Sequence, residues 1–371
     1  MYSTVPMVTV LALMALMPLL SGAVDIHQVR QLAAKNNVTC VLVFGDSSVD
    51  PGNNNRLLTP MKGNFPPYGQ DFFDRRPTGR FTNGKLATDF IAEAIGYTKI
   101  IPAFLDPNLK PIYLPHGVSF ASAASGYDDL TANLSNVLPV SKQLEYLKHY
   151  KLHLSRLVGA KKAQNIVRNA IFVLSMGTND FLQNYYLEPT RPKQFTVDQY
   201  QNFLASRMFE DIKEMNRLGA TRVVVVGVPP LGCIPLVKTL TGQNTCVESY
   251  NQAALSFNAK IKEKLAILKK TIGIKDAYVD CYGVIQNAIN NPKNLVSTNR
   301  IRETLRFLGL METSKGCCGS GTIEYGDTCR GMTTCADPSK YAFWDAVHPT
   351  EKMYRIIADR AIQSLNEALI D

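Results

Sequence analysis

The stretch Val41-Leu42-Val43-Phe44-Gly45-Asp46-Ser47-Ser48 reads as a strand that empties into a hydroxyl-bearing turn, and it decides the fold. Its apolar half shows no polar alternation, so a strand formed from it is covered on both faces, as parallel strands are. Here the strand is expected over residues 40–44. Similar runs recur at residues 118–121, 171–174, 222–226 and 277–279. Between them lie longer amphipathic stretches, near residues 86–95, 140–157, 197–218 and 247–272, with helical spacing of their apolar positions. A last helix is predicted over residues 350–369, with Met353, Ile356, Ile357, Ala361 and Leu365 on one face. Strands alternating with helices predict an α/β chain, a three-layer α/β/α sandwich around a central parallel sheet. Ligands of such sheets bind beyond the carboxyl ends of the strands. Three polar motifs follow strands directly: Gly45-Asp46-Ser47, residues 122–126, and Gly177-Thr178-Asn179-Asp180. All three are therefore expected at one crevice.

The chain has 371 residues, 46% hydrophobic and 19% charged, enough to bury a large core. No linker, repeat or low-complexity tract divides it, so residues 24–371 are read as a single domain. Residues 2–23 carry no charged side chain and end in Ser21-Gly22-Ala23. Their apolar run is too short to span a bilayer, and residues 1–23 are read as a signal peptide in preference to an uncleaved anchor. Eight cysteines and two sequons, at Asn37 and Asn133, fit a secreted glycoprotein in an oxidising compartment. The net charge of +9 is spread along the chain rather than gathered in a basic helix. That argues against a nucleic-acid partner and for no more than weak attraction to an acidic cell wall or membrane surface.

Near the other end stands Trp344-Asp345-Ala346-Val347-His348-Pro349-Thr350. Asp345 precedes His348 by three residues, so one local turn brings a carboxylate to the Nδ1 side of the imidazole and leaves Nε2 free. With Ser47 this makes a nucleophile, a base and an orienting acid, the minimal equipment for acyl transfer through a serine ester. Taken singly, Ser47 or Ser48 could simply cap a following element, and Asp345 and His348 could do the same. Pro349 is placed at the first position of the terminal helix, with His348 at its start. The remaining histidines offer less. His149 and His153 share a helix face without an accompanying acidic ligand, and no orienting carboxylate is spaced for His27 or His116 as Asp345 is for His348. Asn179 carries an amide able to donate to an oxyanion, or serves as a turn-former; its own sequence does not choose.

The joint order of these motifs resembles the plant-type GDSL esterase/lipases of the SGNH hydrolase superfamily. The resemblance covers most of the chain from Cys40 onward. It includes Phe44-Gly45-Asp46-Ser47-Ser48-Val49-Asp50 with Gly52-Asn53-Asn54-Asn55, then Phe65-Pro66-Pro67-Tyr68-Gly69 and Gly79-Arg80-Phe81-Thr82-Asn83-Gly84-Lys85. It continues through residues 118–126, Gly177-Thr178-Asn179-Asp180, residues 227–233, Cys317-Cys318-Gly319 and residues 343–350. It implies a flavodoxin-like fold and hydrolysis of carboxylic esters without metal or cofactor. In its terms Ser47 is the nucleophile and a backbone oxyanion donor, Asn179 the side-chain donor, His348 the base and Asp345 its partner. The family's remaining donor, a glycine N–H, falls at Ala124, with Gly126 two residues too late. A site that needs positive φ there would strain Ala124 by roughly 1 kcal/mol or more.

Cys317, Cys318, Cys329 and Cys335 are read as disulfides pinning the loop before Asp345 rather than as a zinc site, and Cys233 and Cys246 as candidates to pair. The expected substrate is an ester: a lipid, a cutin-like polyester, an acetylated polysaccharide or a small phenolic ester. Residues 71–80 and 187–195 are candidates to line its groove. An extracellular acyltransferase on the same triad, and a secreted binding protein that keeps the fold without turnover, are the competing readings.

Overall fold

The computed structural model describes residues 26–294 and 309–365. Five strands, β1 (Val41–Gly45), β2 (Gly117–Ser119), β3 (Ile171–Ser175), β4 (Arg222–Val226) and β5 (Lys275–Val279), form one sheet. Their order is β2-β1-β3-β4-β5 and every pairing is parallel. The strand order reverses its direction of growth between β1 and β3, which opens a crevice at their carboxyl ends. There Gly45 pairs with Ser175, and Ser175 with Val226.

Alternate side chains of each strand point to opposite faces, and both faces are buried. Leu42, Phe44, Phe172, Leu174, Val223 and Val225 pack toward one core with the helices Val140–Val158, Val197–Arg217 and Glu248–Ile272. Val41, Val43, Val173, Val224 and Val279 face the other core, closed by the helices Ile26–Lys35, Ala87–Ile95, Cys281–Asn290 and Glu351–Leu365. This is the expected three-layer sandwich. In the helix Val140–Val158 the buried Leu144, Leu147, Tyr150 and Leu154 recur at intervals of three and four, the stripe that seats a helix on a sheet. Each such leucine contributes roughly 1.5–3 kcal/mol by leaving water.

Several boundaries differ from expectation for local reasons. The second strand stops at Ser119, although the Phe120 and Ser122 N–H groups still donate to the Val43 and Gly45 carbonyls at 2.7 and 3.0 Å and carry the chain along β1 into the crevice. The terminal helix begins at Glu351 and is capped by Thr350, whose Oγ1 accepts from Met353 N–H at 3.3 Å. Pro349 therefore lies outside the helix, in a β-bridge with Phe343. A second, two-stranded parallel sheet pairs β6 (Glu312–Gly316) with β7 (Tyr341–Phe343) and was not anticipated. The helices Ala160–Arg168 and Cys281–Asn290 were not anticipated either. Disulfides join Cys233 to Cys246, Cys317 to Cys335 and Cys318 to Cys329, while Cys40 and Cys281 are buried free thiols. The expected signal segment, residues 1–23, and the expected helix residues 366–369 lie outside the described residues. Among the described residues no helix is long and apolar enough to cross a membrane.

Candidate active site

The chain leaves β1 through a tight turn that only glycine admits. Gly45 has φ +148°, and a Cβ there would stand 2.1 Å from the Ser175 carbonyl oxygen. Asp46 N–H donates to that same carbonyl at 3.0 Å, and Val49 N–H donates back to the Asp46 carbonyl at 3.2 Å. Ser47 thus sits in a turn rather than at a helix N-terminus. Asp46 Oδ1 accepts from Ser48 N–H at 2.9 Å and fixes the next peptide. The two adjacent serines are sorted by their partners. Ser48 Oγ pairs with Ser175 Oγ at 2.8 Å, whereas Ser47 Oγ lies 2.8 Å from His348 Nε2.

Asp345 forms the local turn and faces the ring at once. Its Oδ1 accepts from the N–H groups of Val347 (2.8 Å) and His348 (2.7 Å). His348 Nδ1 lies 2.9 Å from Oδ1 and 2.8 Å from Oδ2. A carboxylate can only accept, so Nδ1 carries the proton and Nε2 presents its lone pair to the Ser47 hydroxyl. Capping and orientation, weighed in the sequence as alternatives, are therefore combined in one side chain. The Phe81 ring packs 4.8 Å from the imidazole. Asp345 is fully buried and His348 only 6% exposed.

Tyr68 belongs to a motif in the sequence that gives it no evident role. Tyr68 Oη donates to Asp345 Oδ2 at 2.7 Å and accepts from Gly326 N–H at 2.7 Å. Burial, and then the Asp345 charge, push the Tyr68 phenol well above its ordinary value, so it remains a donor. Its position in Phe65-Pro66-Pro67-Tyr68-Gly69, a rigid segment, was the only available signal.

The second motif is stitched to the first. Asp50 accepts from Gly52 N–H (2.8 Å) and Asn53 N–H (2.7 Å) on one oxygen, and from Ala123 N–H (3.0 Å) on the other. Asn54 Nδ2 donates to the Ala123 carbonyl at 3.0 Å, and Ser125 Oγ donates to the Gly45 carbonyl at 2.8 Å. Between these anchors Ala124 has φ +67°. The strain anticipated for an alanine at this position is present, about 1 kcal/mol or more, and the flanking bonds hold it. Gly126 answers a different need, because a Cβ there would meet Asp180 at 2.2 Å.

Asn179 follows β3, and its Nδ2 donates to the Ser125 carbonyl at 3.0 Å, which leaves the second amide hydrogen free for another acceptor. Asp180 clamps the two loops together by accepting from Tyr127 N–H (2.8 Å), Asp128 N–H (3.1 Å) and Thr131 Oγ1 (2.6 Å). Neither the Ser47 N–H nor the Ala124 N–H donates to a protein group among the described residues. Ser47, Asn179 and His348 face one cavity of about 100 Å³, to which residues 71–80 and 187–195 contribute no wall. Asp46, also on that cavity, is pushed up to about 6 by burial, against the pull of the Ser48 hydrogen bonds and of His348.

Other sequence candidates lie elsewhere. His149 and His153 pack against Tyr146 and Phe104. Asn37 and Asn133 are exposed. The four clustered cysteines pair as two disulfides.

A hydroxyl, an imidazole aimed at it and a buried carboxylate behind the ring are an arrangement able to deprotonate the hydroxyl during attack on an acyl carbon. Residues 41–361 match the family described as GDSL-like Lipase/Acylhydrolase. GDSL esterase/lipase At5g45950 of Arabidopsis thaliana is 57% identical over 367 residues, 99% of each chain. GDSL esterase/lipase APG of the same plant is 40% identical over 350 residues, 93% of this chain and 96% of that protein. Among solved structures, a catalytic mutant of Axe2, an acetylxylan esterase from Geobacillus stearothermophilus, matches with a TM-score of 0.39. It shares 13% identity and the match covers 89% of this chain and 93% of that one.

Proposed function

Since this chain belongs to the GDSL-like lipase/acylhydrolase family and is a carboxylic ester hydrolase, we propose that Ser47, His348 and Asp345 carry out its reaction through an acyl-enzyme. The observation that carries the reading is the unbroken line of contacts from Ser47 Oγ to His348 Nε2 at 2.8 Å and from Nδ1 to Asp345 at 2.8 Å.

Ser47 Oγ attacks the ester carbonyl as its proton passes to His348 Nε2. The carbonyl oxygen becomes an oxyanion, held by the Ser47 N–H, the Ala124 N–H and the free Asn179 Nδ2–H. The imidazolium then gives the proton to the leaving alkoxide, and the alcohol departs. Water enters, loses a proton to Nε2 and attacks the acyl carbon; the acid is released and the proton returns to Ser47. Asp345 keeps Nδ1 protonated throughout and stabilises the transient imidazolium. The chain's own groups suffice for every step.

The same proposal takes the protein to be secreted after loss of residues 1–23. Three disulfides and the exposure of both sequon asparagines, Asn37 and Asn133, support that reading.

Hydrolysis of p-nitrophenyl acetate beside a Ser47→Ala control tests the assignment. Activity is expected to fall by about 10⁴-fold or more in the control, with loss of fluorophosphonate labelling. Equal turnover by the folded control would remove Ser47 from the mechanism. A wild-type protein inert to both reagents would favour a non-catalytic role.

A further inference from the structure

The cavity beside Ser47 does not end at the catalytic groups. It continues inward between the sheet and the helices Ala87–Ile95, Cys281–Asn290 and Glu351–Leu365, past Val173 and Val224 to Ile357 and Ala361. Ser175 and Val226 stand at the carboxyl ends of β3 and β4, and Val173 and Val224 lie two residues deeper, about 7 Å along the strands. From Tyr354 to Ala361 the wall extends two turns of helix, about 10 Å. Beyond the catalytic mouth the wall is mostly apolar; Thr88 and Tyr354 bring hydroxyls to it, and the Tyr354 hydroxyl has no partner among the described residues. The one thiol on it, Cys281, is pushed up to about 12 by burial and stays protonated, so it neither ionises nor competes with Ser47.

Such space is costly to keep. Core interiors pack at crystal density, and an unfilled apolar void destabilises in proportion to its volume. Alanines occupy wall positions 87 and 361, where larger side chains would close the space. The void opens beside the Ser47 hydroxyl, and its inner end, at Ile357 and Ala361, is apolar.

Resting on the acyl-enzyme reading above, we infer that this interior cavity is the acyl subsite and that the protein prefers esters of medium-chain aliphatic acids. The acyl group, rather than the alcohol, belongs there. It remains bonded to Ser47 between the two chemical steps, whereas the alcohol must leave and be replaced by water, which a blind cavity obstructs. An extended alkyl chain advances about 1.25 Å per carbon, so a depth near 10 Å accepts roughly six to eight carbons. An acetyl group would leave most of the space empty.

The experiment measures kcat/KM for p-nitrophenyl acetate, butyrate, octanoate and palmitate with the wild-type protein, Ala361→Leu and Ile357→Ala, each checked for folding by circular dichroism. Wild type is expected to favour octanoate over acetate by roughly tenfold or more, and Ala361→Leu to lower that ratio by a similar factor. Ile357→Ala should move the optimum toward longer chains, and it keeps the test open should Ala361→Leu not fold. A chain-length profile unchanged in folded variants, or a wild-type optimum at acetate, overturns the inference. Ser47-independent or absent turnover at every chain length refutes the hydrolase mechanism instead. In that event octanoate binding, read by calorimetry on the wild type, decides the cavity separately: binding that Ala361→Leu weakens supports it, and no binding refutes it.

Discussion

Tyr68 shows how much of the site rests on a group that performs no chemistry. Its hydroxyl bridges Gly326 N–H and Asp345 Oδ2, both at 2.7 Å, in a fully buried position. In Tyr68→Phe the Gly326 N–H loses its acceptor and Asp345 loses one donor. The expected stability loss is about 1–3 kcal/mol, the desolvation cost of an orphaned group. With Asp345 less firmly held behind the ring, kcat should fall with little change in KM. Full kcat in a folded Tyr68→Phe protein would reduce Tyr68 to a packing residue. Ser47 and His348 were legible although 301 positions apart, because their chemistry names them and Asp345 announces itself by local spacing. Tyr68 was not: its contact with Asp345 crosses 277 positions, and a tyrosine beside two prolines carries no mark of its partner. The positive φ of Ala124 was legible only as a condition, and the bonds from Asp50 and Asn54 that hold it were not.

Among the elements, those with a strong apolar period were readable and those made by pairing were not. Residues 222–226 form a strand as their valines require. Glu312-Thr-Ser-Lys-Gly316 has no such pattern, and it becomes β6 because β7 pairs with it and two disulfides anchor the chain beyond it. This small sheet supports Asp345, the proposed acid: the N–H groups of Cys317 and Cys318 donate to the Trp344 carbonyl at 2.9 and 2.8 Å. Gly316 lets the strands close, since a Cβ would meet the Asp345 carbonyl oxygen at 2.4 Å. Cys317 and Cys335 are 18 positions apart, a loop that contains Gly326. Replacing both by alanine should destabilise the protein by about 3 kcal/mol through the freed unfolded chain. It should also lower kcat in the manner of Tyr68→Phe, because Gly326 is no longer held under the phenol. Calorimetry and kcat on the double variant, assayed well below its Tm, check both effects. Full activity with a lowered Tm would confine the bridge to stability alone.

At the scale of the molecule, the buried acids give the fold a pH dependence that neither charge count nor motif foretells. Asp46 is pushed up to about 6 and Asp180 to about 7, each chiefly by burial, with donors from Ser48 or from Thr131, Tyr127 and Asp128 pulling the other way. Asp211, in the helix Val197–Arg217, is pushed up to about 7 by burial, opposed by Arg207 and reinforced by Asp129, Glu210 and Asp180. One of its oxygens has no partner among the described residues. In the unfolded chain each titrates near 4, at about 3.9. Between the two values the folded protein binds more protons than the unfolded one, so stability falls as pH rises. Their contribution is complete below about pH 4 and is lost through about pH 6–7. Glu324 acts in reverse: burial opposes ionisation, but the Ser320 hydroxyl and neighbouring N–H groups hold the carboxyl down at about 2, so its contribution is lost only in stronger acid. Tm is thus expected to be higher near about pH 5 than near about pH 8. Asp211→Asn, which keeps the shape and removes the charge, should flatten that difference without moving the active-site groups. A Tm that rises over the same interval, or an Asp211→Asn protein with the wild-type slope, would mean that the buried carboxyls are ionised in the folded state at lower pH than their burial demands.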